Sequence, residues 1–153
     1  MAVASTRLID ALSQTADRLN RGDKYAWTHM GSCNCGHLAQ TITQLSGEQI
    51  HGYALEKAGD WSEQVTHWCS TSKYPIDHVI QSLINIGLDL DDLTKLERLS
   101  DRRILLRIPP EMRELHYKNR HDVVLYLQTW ADLLREELQA QETPIFAGEL
   151  AHA

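Results

Sequence analysis

The segment His29-Met30-Gly31-Ser32-Cys33-Asn34-Cys35-Gly36-His37 puts two thiols and two imidazoles within nine residues. The later tripeptide His67-Trp68-Cys69 adds one of each. Thiolate and imidazole are the donors zinc prefers, and four of them in a tetrahedron close a structural site. Iron and iron–sulfur clusters draw on the same donors and rank behind zinc. The expected metal ligands are therefore Cys33, Cys35 and Cys69, with His37 or His67 as the fourth and His29 behind them. An open fourth position holding water would give such a site hydrolytic chemistry.

The spacing strains this reading. One residue separates Cys33 from Cys35, where paired zinc cysteines usually have two. Residues two apart on a helix point about 200° apart and cannot share an ion. Cys33 must then lie in a loop, which Gly31 and Gly36 permit.

Two other readings stay open. Cys35 falls at an expected helix N-terminus, where backbone N–H groups and the helix dipole would lower a thiol pKa. Cys33 could then resolve an oxidised Cys35, with His37, His29 or His67 as base, in a thiol redox or cysteine-nucleophile protein. Alternatively the thiols are buried as small apolar groups in a non-enzymatic interaction module. Whether the chain is an enzyme is left open by its residues.

These side chains need a scaffold, and the apolar spacing is helical nearly throughout. Leu8, Ile9, Leu12, Ala16 and Leu19 mark a helix from about Ser5 to Asn20, with Gly22 past its end. Residues Asp23 to Asn34 carry no period and read as an ordered loop. A helix from Cys35 to Leu45 follows, then a Ser46/Gln49 capping box opening Gly47 to Lys57. Asp60 caps a helix from Trp61 to Cys69. Pro75 suits the first turn of the next, and Asp89 caps the one after. Arg102 to Arg107 and one turn after Pro110 are short. The last helix runs from about Asn119 to Gln139, on a Val123, Leu127, Trp130, Leu134, Leu138 stripe. No stretch alternates as a strand does. The expected fold is all-α: one compact domain over residues 1–140, with about six to seven helices and short connections. A loosely docked or frayed tail over 141–153 completes it.

Composition narrows the function classes. The 153 residues carry 15 Lys+Arg against 21 Asp+Glu, a net charge of −6, which argues against a general nucleic-acid binder. No apolar run approaches a membrane span, and the first residues lack a signal-peptide core. Three cysteines, an odd number, fit a reducing cytoplasm better than a disulfide scaffold. A protein partner or a second copy of the chain remains open.

Lys95 to Arg120 holds eight basic and four acidic groups, so Arg102 and Arg103 could meet a small anion. The competing reading is a solvated face with ion pairs. Trp27, Trp61, Trp68 and Trp130 could line a pocket for a flat ligand or fill the core, each indole N–H finding an acceptor. Asp89, Asp91 and Asp92 lack the glycine and distal glutamate of a calcium loop. Glu48 and His51 give one Glu-x-x-His spacing where a di-iron bundle needs two. No phosphate loop, dinucleotide fingerprint or nucleophile elbow is present.

Overall fold

A computed structural model describes residues 1–142. Among them are eight α-helices, one short 3-10 turn and no strand, with 63% of residues helical. The helices are α1 (Thr6–Asn20), α2 (Asn34–Thr43), α3 (Gly47–Ala54), α4 (Trp61–Thr66), α5 (Pro75–Asn85), α6 (Leu90–Arg98), α7 (Arg102–Leu105) and α8 (Arg120–Glu142). The all-α expectation holds.

Side chains that end helices explain most boundaries. Ser5 accepts from the Leu8 amide, Asp60 from Glu63, and Asp101 from Arg103. Ser46/Gln49 and Asp89/Asp92 form reciprocal capping boxes, satisfying amides that the first turn leaves unpaired. Pro75 occupies the start of α5.

Several boundaries differ from the sequence expectation, and three of them bear on the candidate residues or the tail. α2 begins one residue early, with Cys33 as its N-cap. α4 stops at Thr66, so Trp68 and Cys69 lie beyond it. α8 continues through Glu142, so Gln141 is helical and the expected tail begins no earlier than residue 143, outside the described residues.

One core runs through the molecule. α1 packs along α8, and Leu8, Leu12, Leu19, Val123, Leu127 and Leu134 are fully buried. α2 is the hub, touching α1, α3, α5 and α6. Its start is therefore walled in from several sides. Gly31 marks the tightest approach: a Cβ there would fall 1.8 Å from the Gly47 carbonyl oxygen, so only glycine lets the loop lie flush on α3. No described helix is long and apolar enough to cross a membrane.

Candidate functional site

The start of α2 meets the end of α6. Helix beginnings leave N–H groups unpaired and helix ends leave carbonyls unpaired, and here each helix supplies what the other lacks. Asn34, wholly buried, donates from Nδ2 to the carbonyls of Leu96 and Glu97 in the last turn of α6 and to that of Tyr117, each at 3.1 Å. Its Oδ1 accepts from the Tyr25 hydroxyl at 2.6 Å. In return, Glu97 Oε1 accepts the Cys35 backbone N–H at 2.7 Å. A carboxyl at a helix start also suits the dipole.

Cys33 completes the joint. Its Sγ accepts from the Gly36 amide at 3.4 Å as the N-cap of α2, and donates to Glu97 Oε1 at 3.3 Å. The Cys35 thiol donates to the Leu93 carbonyl at 3.1 Å. Burial pushes both thiols well above the ordinary range, and the neighbouring Glu97 carboxyl adds to it. The lowered pKa expected for Cys35 at a helix start is thus reversed: desolvation outweighs the dipole. Burial also raises the pKa of Glu97, which forms no ion pair among the described residues.

His37 does not reach the thiols as a base. Its Nε2 donates to the Lys24 carbonyl at 2.7 Å, and its Nδ1 accepts from Arg18 at 3.1 Å. Burial lowers its pKa to about 4, so the ring is neutral. Arg18 also binds the His37 carbonyl, Thr41, Gln40 and Asp23, tying α1 to α2.

His29 stacks on His51 of α3, with ring centres 3.9 Å apart and planes 19° apart. The Met30 amide donates to His51 Nδ1 at 3.1 Å and the Gly31 amide to His29 Nδ1 at 3.2 Å.

The His67–Cys69 end stands apart from this arrangement. His67 is the exposed C-cap of α4. Cys69 is exposed, where Cys33 and Cys35 are buried, and its sulfur lies 3.4 Å from the Thr71 hydroxyl. That contact lowers the pKa of the Cys69 thiol. Among the described residues, no group of three or more His, Cys, Asp or Glu side chains is placed to hold a metal ion. The expected grouping of Cys33, Cys35, Cys69, His37, His67 and His29 is accordingly not brought together among the described residues: Cys33 and Cys35 are buried at the joint while His67 and Cys69 are exposed, and the two ring nitrogens of His37 are already engaged.

Beside the joint lies a cleft of about 230 Å³, lined by Trp27, Met30, Asp60, Trp61, Glu97 and Arg98 among others. Trp61 is buried and donates from Nε1 to the Met30 carbonyl at 2.9 Å, which the Cys33 thiol also approaches. Trp27 donates weakly to the Glu97 carbonyl at 3.4 Å. The Arg98 and Lys118 cations sit 5.3 and 5.1 Å from the Trp27 ring, and 4.9 and 5.7 Å from that of Tyr117.

Trp27 and Trp61 line the cleft, while Trp130 lies in the core and Trp68 packs against it. Trp61 and Trp130 are buried, but Trp130 Nε1 finds no partner among the described residues; Trp27 and Trp68 are half-buried. Three of the eight basic groups of the stretch form ion pairs: Lys95 with Asp91, Arg103 with Asp101 and Glu137, Arg107 with Glu136. Arg103 is thus already neutralised, while the exposed Arg102 makes no ion pair among the described residues.

Sequence reasoning passed over Glu97 and Tyr117. Glu97 had a readable signal: it lies four residues after the buried Leu93 and so falls on the inward stripe of α6. Tyr117 contributes a backbone carbonyl, which no residue pattern marks. A scan against protein-family models and searches of curated proteins and of solved structures find no match to this chain.

Proposed function

We propose that this chain is a small-molecule-binding module, with its ligand in the cleft between Trp27 and Trp61. The observation that carries this is Glu97: a buried carboxyl without an ion-pair partner among the described residues, held by the Cys35 amide and the Cys33 thiol in the cleft wall. Burying such a group costs stability unless something repays it, and perturbed carboxyls in concave sites are candidates for binding. The indoles and Met30 offer flat apolar contact. Arg98 and Lys118 have no carboxylate partner among the described residues, and they supply positive charge beside Trp27.

The ligand class that fits is a flat apolar body bearing one carboxylate or phosphate. The body lies against the indoles, the anion faces Arg98, and a polar edge bonds to Glu97. The cleft is smaller than the ~300–1,000 Å³ of sites for drug-sized ligands, so the ligand is small. The metal reading finds fewer donors gathered than zinc needs. The thiol reading meets two sulfurs that burial keeps protonated.

Tryptophan fluorescence during titration with benzoate, indole-3-carboxylate and AMP tests the proposal. Saturable quenching by at least one is expected, weakened about tenfold in Arg98→Gln, the equivalent of one charge-assisted hydrogen bond. No saturable change with any of the three at millimolar concentration would overturn it.

A further inference from the structure

We propose that the stacked His29–His51 pair is an acid-sensitive latch on the loop that walls the cleft. The latch stands on its own geometry; its effect on ligand rests on the cleft being a binding site.

Each ring accepts a backbone N–H at Nδ1: His51 from Met30 and His29 from Gly31. Each must therefore be neutral and carry its proton on Nε2. Protonating either ring places an N–H against an N–H and frees one loop amide. Protonating both also stacks two cations 3.9 Å apart. The charges acting on His29 are Glu48 of α3, which favours its protonation, and Lys24 of the loop and His51, which oppose it. Burial opposes it most, so the His29 pKa lies below its ordinary value.

The latch has little slack. Gly31 lies flush on Gly47 at the start of α3, so the loop cannot shift inward to recover lost hydrogen bonds. Outward movement carries Met30, whose carbonyl holds the Trp61 indole N–H, and Trp27. One wall of the cleft then loosens as falling pH protonates the pair, for His29 below its ordinary imidazole value.

Amide exchange by NMR, corrected for intrinsic rates, tests this without any ligand. Protection of Met30 and Gly31 should drop about tenfold or more on going from pH 7 to pH 5. In the double variant His29→Asn, His51→Asn, the amide oxygens can still accept but cannot titrate, so protection should stay level. Unchanged protection in the wild type would overturn the latch. An equal drop in the double variant would also do so, placing the response elsewhere. Long-range imidazole nitrogen spectra of the wild type give a check that does not depend on the variant folding. A protonated Nδ1 on either ring at pH 7 would overturn the proposal. If the latch opens with acid while benzoate affinity stays constant, the latch stands and the cleft reading fails.

Discussion

Two stretches of this chain pair histidine and cysteine at short spacing, and they end in opposite surroundings. Cys33 to His37 is buried at the joint of two helices, with each polar group engaged by a named partner. His67 to Cys69 lies on the surface past the end of α4. The residue types are the same, so the difference comes from what surrounds them. α2 is the hub of the bundle, and burial there turns thiols and an imidazole into neutral struts. Where α4 stops, the same groups meet water, and contact with Thr71 lowers the pKa of the exposed Cys69 thiol.

Several perturbations sharpen that contrast. Asn34→Ala removes one hydrogen bond from each of three carbonyls and one from the Tyr25 hydroxyl, and should cost about 3 kcal/mol by denaturant unfolding. His67→Ala should stay within about 0.5 kcal/mol, as surface changes do. Equal losses at the two sites would erase the distinction.

Acid should act through His37. Its pKa is about 4 in the fold against 6.5 ordinarily, so the unfolded chain takes up the proton first. The stability this residue confers is complete above pH 6.5 and lost as pH falls towards 4, by up to about 3 kcal/mol. Melting temperature against pH checks this, and His37→Gln should flatten the slope in that window.

At Glu97, removing the charge and removing the oxygen should have different consequences. Glu97→Ala frees the Cys35 amide and should cost about 2 kcal/mol. Glu97→Gln keeps an acceptor and cannot ionise. Because the folded pKa of Glu97 is raised, its contribution is full below the unfolded carboxyl pKa and declines as pH rises through the folded one. The glutamine variant should therefore match or exceed the wild type at neutral pH, measured by the same unfolding transition.

The smallest effect is at the thiols. In the native protein an alkylating reagent at neutral pH should label Cys69 and spare Cys33 and Cys35 until denaturant is added, read by mass spectrometry. Cys69→Ser should change stability by less than about 0.5 kcal/mol, and Cys33→Ser by about 1 kcal/mol.

Helix existence was legible because its causes are local. Ser46 with Gln49, Asp60, Pro75 and Asp89 act within one turn of themselves, and the structure uses each as expected. The joint was illegible because its partners lie 62 to 83 residues apart. Glu97 sat inside a charged run and read as a solvated face; only its step from Leu93 hinted otherwise. The metal expectation depended on Cys69 returning to Cys33, a long-range question that spacing cannot answer. The loop's polarity was legible, but the capture of its amides by His29 and His51 needed α3 alongside it.

The clasp of α1 by α8 bears on how the chain is made. α1 leaves the ribosome about a hundred residues before α8 begins, so the Leu8, Leu12 and Leu19 stripe must wait unsheltered while the middle helices assemble. Contacts of such sequence separation slow folding and expose sticky intermediates. A nascent chain halted before Arg120 should therefore be the form that chaperones seize.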